Sequence, residues 1–121
     1  MSLLLWCGVA AIGSVGALAR FELDGLVQVW MAGAFPFGTL VVNVSGSFVL
    51  GLLTGLAVTG DTALVAGTGF VGSFTTFSTW MLETERLAED GEGRRALANL
   101  VVSLVAGALA AALGWAIGAV L

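Results

Sequence analysis

The residues of this chain that could do chemistry are amides and hydroxyls set among apolar side chains. Thr39, Asn43 and Ser47 follow one another at spacings of four, so on a helix they line one face. Asn99 and Ser103 repeat the pattern near the C-terminus, with Gly107 next. A third cluster reads GTGFVGSFTTFSTWMLE from Gly67 to Glu83, three glycines ahead of Ser73, Thr75, Thr76, Ser78 and Thr79. Within a bilayer an amide is costly unless it is partnered, so Asn43 is either a functional group or glue between helices. Thr39 and Ser47 can each bond the carbonyl four residues back, and by themselves need no special role. Such groups donate hydrogen bonds without a full charge, which suits a weak, multi-site path for a small anion. Phe74, Phe77 and Trp80 recur every three residues. That stripe is either core packing or a row of positive ring edges turned to a dehydrated anion.

The residue types that are scarce narrow the function further. The chain has 121 residues, 59% hydrophobic and 10% charged, with His and Tyr absent and all four basic residues arginine. A soluble domain usually has about a quarter of its residues charged, and the mean hydropathy of +1.07 is far from that regime. With no His, Lys or Tyr, a His general base, a Lys nucleophile and a Tyr acid are missing, which disfavours catalysis by the usual groups. One cysteine, Cys7, permits no internal disulfide and no Cys-rich metal site. A net charge of −4 disfavours nucleic acid as a partner. The composition is that of a membrane protein.

Four uncharged runs can position these groups: Ser2–Ala19, Gly25–Gly60, Thr62–Leu82 and Ala96–Leu121. A helical span needs about 20 apolar residues. Pro36 fits a first helical turn and not a helix middle, so the second run divides into a connecting segment at about 22–35 and one span. The predicted spans are about 3–20, 36–58, 63–83 and 96–119, a single integral-membrane domain over residues 1–121. The first run lacks a basic leader and carries Gly13, Gly16 and Arg20, so it reads as a retained span and not a signal peptide. The third span, rich in glycine and hydroxyls, is predicted to break near Gly72–Thr76, which a membrane tolerates only in protein or beside a polar cavity. A break exposes carbonyls that hold cations and N–H groups that hold anions. Ser47, Gly51 and Gly55, and Gly107, Ala111, Gly114 and Gly118, form small-residue seams for close helix packing. So small a bundle encloses little, and an oligomer is expected. Arg20, Arg86, Arg94 and Arg95 all fall on one side and Asp61 alone on the other, which places both loops in the cytoplasm. Arg20 abuts a span, as an interfacial anchor or as an attractor for an anion. Residues alone reach an anion-conducting or polar-solute membrane protein.

The segments GALARF (Gly16–Phe21), FGTLVVNVSGSFVLG (Phe37–Gly51) and GFVGSFTTFSTW (Gly69–Trp80) resemble the CrcB/Fluc family of fluoride channels, in order and along the whole chain. The resemblance implies an all-α membrane protein of four transmembrane helices, the third broken near its middle, assembled as an antiparallel, dual-topology dimer in the cell membrane. It implies passive export of cytoplasmic fluoride, which relieves its toxicity, and no enzymatic activity. Asn43 matches the family's pore asparagine and Thr39 its hydroxyl neighbour. Phe77 matches the first phenylalanine of the TTFSTF motif, while Trp80 stands where the second belongs and offers an indole N–H that could keep an anion site. Thr76, Ser78 and Thr79 complete the hydroxyls, Glu83 matches the acidic residue after the motif, Arg20 the arginine after helix 1, and Ser103 a helix 4 hydroxyl. The carbonyls of Gly72 and Thr75 match those that hold a central structural sodium ion, Na+, with four carbonyls coming from two subunits.

The arginine asymmetry bears on the partner. A dual-topology protein should show little bias, and some family members pair two related subunits of fixed orientation. A homodimer is favoured here, with a heterodimer as the alternative. The competing function is a small-solute or proton-coupled transporter of the four-helix dual-topology type. Such an exporter generally needs a carboxylate within a span, and helices 1, 2 and 4 have none.

Overall fold

The computed structural model describes residues Met1–Leu121 and is all-helical. Helix α1, Leu3–Trp30, starts at Ser2, whose hydroxyl accepts the N–H of Leu5 at 3.2 Å. It runs well past the predicted end of the first span. Nothing from Phe21 to Trp30 interrupts it, since that stretch holds one glycine and no proline, so Arg20, Glu22 and Asp24 are all helical. The connecting segment expected at about 22–35 is therefore corrected to residues 31–36. Gln28 fixes this short turn from within α1. Its amide Nε2 reaches the carbonyls of Gly33 and Phe35 at 3.4 and 3.5 Å, and its Oε1 accepts the N–H of Gly38 at 3.3 Å. Pro36 stands at the N-cap of α2, Phe37–Gly55.

After a turn in which Ala57 takes a positive φ of 55°, the chain enters a series of short helical pieces. These are α3 (Gly60–Ala63), a π-helical stretch (Leu64–Val71) and α4 (Gly72–Phe74). Helical backbone stops there. Thr75 is extended at φ −81°, ψ 161°, and helix resumes only at α5, Ser78–Glu89. The last helix, α6, covers Gly93–Val120. Three helices, α1, α2 and α6, are long and apolar enough to cross a membrane. The 60–89 region, predicted to hold the third span, is divided into pieces too short to do so singly. Glycine explains part of this, because Gly67, Gly69 and Gly72 lower the cost of leaving regular α geometry.

Packing follows the small residues. Helices α2 and α6 make the closest pair, and their backbones nearly touch: a Cβ at Gly51 would overlap the Ala111 carbonyl, and one at Gly114 the Phe48 carbonyl. Gly55 and Gly118 meet the facing backbone in the same way. The expected seams are thus in place for these four glycines. On the other side α1 lies against the π-helical stretch, where a Cβ on Gly16 would come within 2.6 Å of the Phe70 carbonyl. Such approach is how helices associate where lipid removes the hydrophobic drive. Only 17 of the 121 residues are buried, while leucines such as Leu18, Leu97, Leu104 and Leu109 are more than half exposed. An apolar exterior around a small, partly polar interior suits a lipid surround.

Candidate functional site

The site is built around the non-helical residues Thr75–Phe77. Leaving the helix frees backbone groups that must find partners, and Asn43 of α2 supplies them. Its Nδ2 donates to the Thr76 carbonyl at 2.8 Å, and its Oδ1 accepts the Thr76 N–H at 2.8 Å. One amide thus closes both hydrogen bonds of one residue. Gly46, one turn further along α2, lets this happen, since a Cβ there would overlap the Thr75 methyl. Thr75 anchors the end of the preceding helix by giving its hydroxyl and its N–H to the Val71 carbonyl, both at 2.9 Å. Thr76 starts the next one, its Oγ1 accepting the Thr79 N–H at 3.2 Å.

Two cavities flank the Asn43–Thr76 bridge. A groove of about 530 Å³ is lined by Asn43, Ser47, Thr76, Phe77, Trp80 and Ser103 among others. It contains no ionisable side chain. The donors left over there are the second N–H of Asn43 and the hydroxyl hydrogens of Ser47 and Thr76, none of which donates within the protein, while the Ser103 hydroxyl is buried and unpartnered. Phe77 is 70% exposed and meets Trp80 edge-on, at 5.7 Å between centroids and 84° between planes. The second cavity, of about 460 Å³, is lined by Arg20, Asp24, Thr39, Thr76 and Thr79. Thr76 belongs to both and forms the partition.

The sequence-predicted residues are therefore divided between two spaces. Asn43, Phe77, Trp80, Ser103 and Thr76 share the groove, with Thr75 and with Ser47, which the sequence places on the face of Asn43. Thr39, Arg20 and Thr79 lie behind the partition. Glu83 opens onto a third, polar cavity with Asp24, Gln28, Arg86, Asp90 and Glu92. Ser78 is exposed and makes no side-chain hydrogen bond. Thr39 is buried and gives its only hydroxyl hydrogen to the Glu83 carboxylate at 2.6 Å, linking α2 to α5. It has none left for an anion while that bond stands.

Trp80 is used otherwise than its N–H led us to expect. The indole Nε1 donates to the backbone carbonyl of Asn99 on α6 at 3.0 Å and is not free to bind an anion. In return Asn99 donates through Nδ2 to Thr84 Oγ1 at 2.8 Å, and Thr84 donates to the Trp80 carbonyl at 2.8 Å. This clamp joins α5 to α6. Asn99 is visible in the sequence as an amide within a span, but its partners lie 15 and 19 residues away and carry no local signal.

The resemblance assigns the carbonyls of Gly72 and Thr75 to a sodium ion, and the geometry fits that chemistry. Thr76 gives its N–H to Asn43, so the Gly72 carbonyl loses the donor that a continuing helix would provide. Gly72 is exposed. The Thr75 carbonyl accepts Arg20 Nη1 at 3.2 Å and keeps its other lone pair. Neutral carbonyls at a helix break are suitable ligands for a hard cation.

Comparison with known proteins identifies the family. The family described as "CrcB-like protein, Camphor Resistance (CrcB)" matches residues 7–115. A "Fluoride-specific ion channel FluC 2" of Mycolicibacterium paratuberculosis is 57% identical over 110 residues, covering 91% of this chain and 90% of its own. Proteins of the same name from Moorella thermoacetica and Haloarcula marismortui are 47% and 49% identical, over 91% and 90% of this chain and 93% and 89% of theirs. On a match that runs from within α1 to within α6, this chain belongs to the CrcB family.

Proposed function

We propose that this multi-pass integral protein of the cell membrane is a fluoride-selective channel, through which cytoplasmic fluoride leaves passively and its toxicity falls. The observation that carries the reading is the 57% identity, over nearly the whole of both chains, to a relative named as a fluoride-specific ion channel. The groove supports it chemically. Fluoride is small and strongly hydrated, and leaves water only for donors that replace its shell. The free Asn43 N–H, the Ser47 and Thr76 hydroxyls and the Phe77 ring edge supply such donors without a charge that would trap the ion, and Ser103 adds a buried hydroxyl beside them. Arg20, with guanidinium hydrogens beyond the one spent on Thr75, draws anions toward the second cavity. In this reading Thr79, which lines the second cavity, belongs to the path, with Ser78 and Glu83 beside it on α5.

In this reading the 60–89 region makes the third of four crossings, broken at residues 75–77, and residues 1–121 form one membrane domain. In a single copy, lipid would be a poor cover for the Asn43 and Thr76 groups that line the groove. A second copy in antiparallel orientation covers it, as a homodimer in preference to a pair of related subunits. Gly72 and Thr75 of each copy would then hold a structural Na+ between them. That ion would supply positive charge for the carbonyls at the break and lock the two copies together.

Purified protein in liposomes loaded with potassium fluoride or potassium chloride tests the function. Made permeable to potassium, the vesicles should release fluoride passively and retain chloride. Release of both at equal rates, or of neither, refutes the proposal.

A further inference from the structure

Where α1 and α2 are joined, an open cleft of about 310 Å³ runs between them, lined only by Leu26, Val27, Trp30, Met31, Phe37 and Val41. Its depth in the membrane follows from α1. Trp6 and Trp30 stand 24 residues apart on that helix, roughly 36 Å at the helical rise. The hydrocarbon core is about 30 Å thick, and about 40–45 Å with the headgroups. Both tryptophans therefore reach the interfacial layers, where that side chain is favoured. Leu26 and Val27 lie one turn deeper than Trp30, and Val41 one turn deeper than Phe37. The cleft thus begins at headgroup level and descends among the acyl chains. The last turns of α1 are also inverted relative to a helix in water. Leu26, Val29 and Trp30 are 58%, 77% and 81% exposed, while Asp24 and Gln28 turn inward and are half-buried.

Above the cleft, the turn at residues 31–36 carries donors that the chain does not use. The N–H groups of Ala32, Gly33, Ala34 and Phe35 have no acceptor within the protein. Among the tryptophans only Trp80 gives its indole N–H to a protein acceptor, so that of Trp30 is free as well. Unused donors at headgroup level, over an apolar cleft one turn deep, match a phospholipid, whose phosphate and ester oxygens sit above its chains. A second copy of this chain is the other occupant to consider. Val41 and Asn43 are two residues apart, about 200° around a helix, so the cleft lies on the side of α2 away from the face given to that copy. We propose that the cleft binds one phospholipid of the surrounding bilayer, with an acyl chain between Val27 and Val41 and the headgroup against the 31–36 turn. Bulk lipid is as apolar as the cleft, so the hydrophobic effect adds little. Dispersion contacts from two helix walls hold the chain, and the free N–H groups hold the head. No basic side chain lines the cleft, so the site does not select anionic headgroups. The proposal needs only the membrane setting and is independent of the ion transported.

Native mass spectrometry tests this on the full chain, released into mild detergent from liposomes of phosphatidylcholine and phosphatidylglycerol in equal amounts. The parent should retain one phospholipid per copy, with the two headgroups equally represented. Val41→Trp fills the cleft and should lose that lipid. Leu109→Trp adds the same ring at a position of α6 that is 65% exposed and outside the cleft, and should keep it. A parent without phospholipid, or two variants that behave alike, overturns the proposal. So does a strong preference for phosphatidylglycerol, which would place the retained lipid at a basic site elsewhere. The same spectra count the copies in each particle. If Val41→Trp separates the copies and Leu109→Trp does not, the cleft is a contact between subunits, and the lipid site is refuted.

Discussion

Asn43 does two things with one side chain. Its Oδ1 and one N–H hold the Thr76 backbone, and its second N–H faces the groove. Asn43→Asp keeps the acceptor for the Thr76 N–H but sets a carboxylate oxygen against the Thr76 carbonyl. Fluoride efflux should be abolished, because a fixed negative charge then stands in an anion path, and stability should fall by about 1–3 kcal/mol from the lost bond. Efflux at the parent rate in Asn43→Asp liposomes would leave the asparagine with only its structural role. Trp80 separates the two kinds of contribution. Trp80→Phe keeps an aromatic ring beside Phe77 but frees the Asn99 carbonyl, at a cost of about 1 kcal/mol. Thermal unfolding in detergent should show a lower midpoint for this variant, and an unchanged one would mean the indole bond adds nothing net.

Among the elements, α2 and α6 are held by contacts that leave no room for a side chain. Gly51→Val would drive a branched side chain into the Ala111 carbonyl, and should cost at least about 3 kcal/mol, the range of severe overpacking. Gly25, within α1, has open space where a methyl would stand, with no neighbouring atom within 4 Å. Gly25→Ala should therefore gain up to about 1 kcal/mol of helix propensity. Size-exclusion profiles and unfolding midpoints of the two variants should move in opposite directions. This contrast also shows what the chain's pattern could reveal. The seam was legible because Gly51, Gly55, Gly114 and Gly118 recur at helical spacing, and Asn43 because an amide among apolar residues is conspicuous. The end of α1 was not, since Arg20, Glu22 and Asp24 read as loop chemistry while nothing in residues 21–30 stops a helix. Nor was the use of the Trp80 N–H. That depends on α5 and α6 meeting at Asn99, a fact of tertiary packing with no trace in local spacing.

For the molecule as a whole, the charge distribution and the proposed assembly make opposing demands. Arg86 lies in the last turn of α5 and Arg94 and Arg95 in the first turn of α6, and the opposite end of the bundle, with the termini and Asp61, has no arginine. Retention of such a loop in the cytoplasm favours one orientation. An antiparallel homodimer requires both in equal number. The acidic neighbours weaken the bias little, because the rule counts basic residues and not net charge, although Arg95 is paired with Glu92 at 3.3 Å. What supports equal insertion is the groove: its polar lining is left against lipid in a single copy, and burying those amide and hydroxyl groups against a second copy returns free energy that lipid cannot. A cysteine at position 2 or 91, in a Cys7→Ser background, reports orientation in intact cells through a thiol reagent that does not cross the membrane. With the homodimer, about half of the copies should be labelled from outside at each position, the equal split that two-fold pairing of antiparallel copies requires. Labelling of position 2 alone would show one fixed orientation and would assign the other half of the assembly to a different, oppositely inserted chain.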